Sequence, residues 1–160
     1  MADKSSGFAG GFLVRSLAGT EDFARRIALR LRAGDTVALK GELGAGKTML
    51  ARAILRTLGV EGEIPSPSFT LVQEYETARL TIMHCDLYRI GDCREVDELG
   101  FDEALGDGAM LVEWPERAPS RIAGDALWIE IEIVGESERR MKISGPERWA
   151  FLREMEGAAS

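Results

Sequence analysis

The 160-residue chain has two cysteines, one histidine, no excess of basic residues and no apolar run approaching the length of a membrane span. Cys85 and Cys93 are too few for a disulfide framework. Their spacing matches no common zinc or redox signature, so both read as reduced thiols of a cytosolic protein. With neither an apolar leader core at the N-terminus nor a run of about 20 apolar residues, the chain is expected to be neither exported nor anchored, and to be cytoplasmic. Lysine and arginine number 20 against 27 acids, a net charge of −7. An acidic protein gains nothing from releasing counterions on a phosphate backbone, so tight autonomous nucleic-acid binding is not expected. There is no internal repeat, and the one biased stretch is the Gly/Ser-rich segment 1–11, expected to be a disordered tail. Residues 12–156 suffice for a single domain with a real core and are too few for two.

What is present is a phosphate-binding signature. Gly41, Glu42, Leu43, Gly44, Ala45, Gly46, Lys47 and Thr48 fit G-x-x-x-x-G-K-[ST] at every fixed position. Glycines let the backbone curl so that successive N–H groups point at phosphate oxygens. Lys47 then reaches the β- and γ-phosphates, and the Thr48 hydroxyl ligates Mg²⁺. Composition alone yields such a pattern on the order of once in a hundred chains of this length, so context carries the weight. Residues 35–40 read as a short buried strand entering the loop. Leu50, Ala51, Ile54, Leu55 and Leu58 recur at helical spacing after it, and Gly59 stands where a helix C′ residue belongs.

The remaining pattern is that of an α/β chain. Residues 12–16 read as a short first strand. A helix follows, with Thr20 as N-cap, Phe23, Ala24, Ile27, Ala28 and Leu31 as its core stripe, and Gly34 as its end. Strands are expected at 69–75, 80–85 and 110–114, with one or two short helices in 91–108. The clean alternation of 126–134 and 139–144 around a Gly-Glu-Ser-Glu turn predicts an antiparallel hairpin. A C-terminal helix over 146–156 directs Trp149, Leu152 and Met155 inward. The fold expected is a P-loop NTPase-like three-layer α/β domain. Its parallel core holds 35–40, 80–85 and 110–114, and the hairpin is an antiparallel extension.

Nucleotide hydrolysis needs a carboxylate on the second side of Mg²⁺ and a group to orient the attacking water. Asp86 ends the apolar run 80–85, and Glu113 ends another just before Trp114 and Pro115. A glutamate at the mouth of a buried strand is costly to ionise unless it faces a cation or a positive dipole. Ser68, in a stretch stiffened by Pro65 and Pro67, is placed to sense the γ-phosphate or Mg²⁺. His84 is expected on the strand face opposite Asp86, as a hydrogen-bonded packing residue. Trp114, Trp128 and Trp149 are read as core or edge fillers rather than adenine stackers.

Taken together, residues 41–48, 66–72, 84–89 and 112–117 resemble, in order and spacing, the motifs of the TsaE (YjeE) family. The resemblance runs from about Leu13 to Ile143. It implies a small bacterial P-loop ATPase, with ATP and Mg²⁺, required for threonylcarbamoyladenosine synthesis in tRNA. Such a protein binds the TsaD–TsaB complex and supports its repeated turnover. By the resemblance Asp86 is the Mg²⁺-binding aspartate, Glu113 the essential glutamate and Ser68 the position of the sensor-loop threonine. Ser68 keeps the hydroxyl and loses the χ1-restricting methyl. Glu42 and Met49 also depart from the family's usual aspartate and threonine, and neither removes a required ligand. With Lys47 and Thr48 from the loop pattern, the expected catalytic residues are Lys47, Asp86 and Glu113, and the expected metal ligands Thr48, Asp86 and Glu113.

Two other readings remain open at the level of sequence: a small P-loop metabolite kinase, and a nucleotide-gated docking module. A kinase usually carries an arginine-bearing lid, and no lid-like insertion stands out. Arg89 and Arg117 are the arginines within the motifs. Without a clear arginine finger, basal hydrolysis is expected to be slow and raised by a partner, unless Arg89 serves in cis.

Overall fold

Residues 36–39, 82–85 and 109–112 are buried without a break, which is what strands covered on both faces require. In the computed structural model, which describes residues 7–157 and the side chains of 7–153, they lie at the centre of a seven-stranded sheet. In chain order the elements are β1 (Gly7–Val14), α1 (Leu17–Arg30), β2 (Thr36–Lys40), α2 (Lys47–Thr57), β3 (Val72–Glu76), β4 (Thr81–Asp86), α3 (Phe101–Asp107), β5 (Gly108–Glu113), β6 (Leu127–Ile133) and β7 (Arg139–Pro146). Single-turn and longer 3₁₀ segments fill the connections, and one runs over Glu147–Gly157. The strand order is β1-β7-β6-β2-β5-β4-β3. β6, β2, β5 and β4 are mutually parallel, while β3, β7 and β1 join antiparallel.

The sheet is covered on both faces. On one, Phe23, Ile27, Leu50 and Ile54 of α1 and α2 pack on Val37, Leu39, Leu111 and Ile129. Each such side chain, fully buried, contributes about 1.5–3 kcal/mol. On the other, Met83, Cys85, Met110 and Val112 meet Leu87, Ile90, Val96 and Ala118 from the segments after β4 and β5. The expected α1 stripe is buried as read. Gly59 also takes its C′ place: its N–H bonds Arg56 O and the Val60 N–H bonds Leu55 O, closing α2.

Four expectations need correction. The tail read as disordered includes residues 7–11, which belong to β1; residues 1–6 lie outside those described. Phe8, Phe12 and Val14 alternate inward there. Two of the glycines that lower strand propensity stand where a side chain would be crowded. A β-carbon on Gly10 would come within 2.9 Å of Arg153, and one on Gly11 within 3.2 Å of the Met141 carbonyl. Secondly, α1 is capped by Ser16, whose Oγ accepts from Gly19 N at 3.1 Å, so Thr20 sits inside the first turns. Gly34 likewise stands beyond the helix, which ends at Arg30. Thirdly, the hairpin is not merely an antiparallel extension: β6 pairs parallel with β2 and belongs to the core. Lastly, the C-terminal segment is 3₁₀ rather than α, although Trp149 and Leu152 are buried as read. The side chain of Met155 lies outside those described.

Candidate functional site

The strand-to-loop transition after β2 occurs at the C-terminal ends of the parallel strands. Gly44 and Gly46 take φ of 82° and 117°, conformations in which an L side chain is strained. A β-carbon at either would meet nothing within 4 Å, so backbone geometry alone demands glycine. Gly41 is required for space: its β-carbon would lie 2.7 Å from the Ile131 carbonyl oxygen. Ala45 N closes the turn on Glu42 O at 3.0 Å, and Arg139 Nε of β7 braces it at Ala45 O at 2.9 Å. α2 begins at Lys47 with no side-chain cap. Its first N–H groups and the positive end of its dipole are left for an anion.

Although a lysine in a glycine loop without ligand would ordinarily face solvent, Lys47 does not. It is only 5% exposed and folds back over the loop, where Nζ donates to Gly41 O at 2.5 Å and Glu42 O at 2.9 Å. It also lies 4.2 Å from the centre of the Trp114 ring. Burial pushes its ammonium below the usual lysine range, opposed by the negative charges of Glu113, Glu116, Asp86 and Glu42. Trp114 therefore belongs to the site and is not a simple core or edge filler. Its φ of 59° is rare for a bulky residue, and this turn directly follows Glu113. Strained backbone of this kind clusters where function over-determines it.

Parallel pairing of β4 with β5 sets Asp86 and Glu113 side by side in register. Both are buried, and Glu113 is only 2% exposed. The Thr48 hydroxyl donates to Glu113 Oε1 at 2.7 Å, tying α2 to the end of β5. Glu113 Oε2 lies 2.6 Å from His84 Nε2. His84 thus does not face away from Asp86. Two residues apart on a strand, they share a face, which Ile82 also occupies. Asp86 accepts from Tyr88 N at 2.9 Å and from Ser68 Oγ at 3.3 Å, and Ser68 Oγ is 2.7 Å from Ser66 Oγ. The structure brings together the loop, Thr48, Glu113, Asp86 and Ser68. Arg89 instead lies over the exposed Phe69 ring at 4.5 Å, and Arg117 leans on Tyr88 and Trp114.

Among the described residues no three His, Cys, Asp or Glu side chains converge as a metal cage. Two carboxylates and a hydroxyl are nevertheless the hard oxygen set that suits Mg²⁺, which takes one or two carboxylates, keeps waters and completes its shell on phosphate.

A cleft of about 390 Å³ adjoins the loop. Gly44, Ala45, Gly46 and Met49 form one edge of its lining, Val14, Leu17, Ile131 and Met141 supply apolar surface, and Ser16, Thr20, Ser137 and Arg139 add polar groups. Sequence reasoning did not find it. Its residues come from positions 14 to 141 and meet only because β1, β6 and β7 assemble beside the loop.

Comparison with known proteins points the same way. The family described as "Threonylcarbamoyl adenosine biosynthesis protein TsaE" matches residues 14–142. The tRNA threonylcarbamoyladenosine biosynthesis protein TsaE of Aquifex aeolicus is 39% identical over 127 residues, 78% of this chain and 87% of that protein. The protein of the same name from Rickettsia felis is 38% identical over 125 residues, 78% of this chain and 73% of its own. The crystal structure of YdiB from Bacillus subtilis superposes with a TM-score of 0.77 at 28% identity, covering 95% of this chain and 96% of that one. With the family matched from the end of β1 into β7, across the glycine loop and all four parallel strands, the chain belongs to the TsaE family.

Proposed function

We propose that the chain is an ATP-binding and ATP-hydrolysing accessory subunit for threonylcarbamoyladenosine modification of tRNA, one that supports turnover of the TsaD–TsaB transferase complex in the cytoplasm. The observation that carries this is the Thr48 hydroxyl on Glu113, with Asp86 in register beside it, at the mouth of a glycine loop. Four parallel strands, with the loop between β2 and α2, support a P-loop NTPase-like fold. Its two antiparallel edges are then additions to that core. No helix of the described residues is long and apolar enough to cross a membrane.

In this reading the N–H groups of 41–48 receive the phosphates. Lys47 leaves the Gly41 and Glu42 carbonyls for the β- and γ-phosphates, exchanging neutral acceptors for charged ones. Thr48, Asp86 and Glu113 would hold Mg²⁺, which when bound neutralises phosphate charge as the bond to the leaving group breaks. Glu113 orients the attacking water, and Ser68, bonded to Asp86, couples the 66–70 loop to nucleotide state. The 390 Å³ cleft beside Gly44–Gly46 receives the base, its apolar surface against the ring and Ser16, Thr20, Ser137 and Arg139 within the same lining. Arg89 and Arg117 rest on aromatic rings, and neither serves as a finger there. Transition-state charge is therefore left for a partner to complete. Exposed Leu43, Met49 and Phe69 rim this mouth, the side on which TsaD–TsaB would dock.

Calorimetric titration with Mg·ATP should show one saturable site, and Mg·ADP should compete for it. No heat of binding would overturn the reading. So would a phosphorylated product after incubation with Mg·ATP and a metabolite panel, which would make the chain a small kinase.

A further inference from the structure

His84 is the chain's one histidine and is fully buried, with no part of its ring open to water. Its two nitrogens stand in different surroundings. Nε2 lies 2.6 Å from Glu113 Oε2, while Nδ1 is buried with no hydrogen-bond partner among the described residues. This asymmetry fixes where the hydrogen sits. A hydrogen on Nδ1 alone would be a buried N–H without an acceptor, and would leave two lone pairs facing each other across 2.6 Å at Nε2. A hydrogen on Nε2 satisfies the short contact and leaves only a bare acceptor at Nδ1, the less costly orphan.

We infer that His84 is a positioning residue for Glu113: its Nε2–H donates to Oε2 and anchors the carboxylate from the core side, presenting Oε1 to Thr48 and the phosphate loop. This inference rests on the ATPase reading of the same site. Three features support it over a plain packing role. An apolar side chain would fill this core position without orphaning a nitrogen. Position 84 on β4 is two residues from Asp86 and so faces the same side. Glu113, at the end of β5, would otherwise have one oxygen held only by Thr48, a group on the loop side itself. Loss of the partner behind a metal ligand typically costs about 10–100-fold in activity or metal affinity, and Glu113 is such a ligand in the ATPase reading.

Two arms test this. With one histidine in the chain, ¹⁵N-histidine labelling of the full-length, tag-free protein gives a single imidazole. A hydrogen on Nε2 is expected, and a hydrogen on Nδ1 with Nε2 bare would overturn the inference without any reference to hydrolysis. In the kinetic arm, ATP turnover is measured with TsaD–TsaB present. His84→Met fills the space without a donor and should lower kcat by about 10–100-fold with KM for ATP unchanged. His84→Gln, whose Nε2 reaches the same place, should recover most of that loss. Parent-like turnover in His84→Met, or an equal loss in both variants, would overturn the role. Absence of turnover in the parent protein would instead count against the ATPase reading, leaving the labelling arm to decide the hydrogen bond.

Discussion

Lys47→Ala should weaken Mg·ATP binding by about 10–100-fold and abolish measurable turnover. A hydrogen bond to a charged group contributes about 1.5–3 kcal/mol, and Lys47 is the ammonium of the loop. The structure refines what else the substitution does. Lys47 is buried and bonded to Gly41 O and Glu42 O, so its loss also removes two ties inside the loop. The fold should persist, because the loop's shape is set separately by the turn bond from Ala45 to Glu42 and by the Arg139 brace. Calorimetry on the variant with an unchanged dissociation constant would mean that residues 41–48 do not cradle phosphates.

Glu113→Gln should separate binding from chemistry. The substitution keeps size and shape, and it removes one of two adjacent buried negative charges, so stability should hold or rise slightly. The loop N–H groups and Lys47 remain, so ATP binding should survive better than in Lys47→Ala. Hydrolysis should fall by about 10²–10⁴-fold, the range for removing a group that positions or takes a proton. Asp86→Asn should behave similarly through the metal, and its remaining oxygen still accepts from Tyr88 N. Single-turnover phosphate release with partners present reads the difference. A parent-like rate in Glu113→Gln would remove Glu113 from the mechanism.

How much was legible beforehand follows from what each feature depends on. The phosphate loop is local: eight consecutive residues carry it, and strand and helix periodicity flank it. Asp86, Glu113 and Ser68 were also within reach, because an acid ending an apolar run and a hydroxyl beside prolines are visible one segment at a time. The hairpin β6–β7 was readable from alternation, yet its parallel pairing with β2 was not, since alternation says nothing about the partner on the outer edge. β1 was hidden by glycines, which lower strand propensity, at positions where a β-carbon would lie close to the Arg153 side chain and the Met141 carbonyl. The acids Glu21 and Asp22 after Thr20 suit a first helical turn, and they stand instead one turn inside a helix that Ser16 caps. The pairing of His84 with Glu113 depends on the register of β4 against β5, the contact of Lys47 with Trp114 on the start of α2 meeting the end of β5, and the cleft on three strands at once.

The central claim is that this site hydrolyses ATP in the service of a partner, and steady-state phosphate release from Mg·ATP, with and without TsaD–TsaB of the same organism, tests it most directly. The complex should raise a slow basal rate, because neither arginine of the site motifs stands as a finger: Arg89 lies on Phe69 and Arg117 on Tyr88 and Trp114. Equal rates at saturating ATP and saturating partner would contradict it, as would a fast rate of the chain alone that collapses in Arg89→Ala.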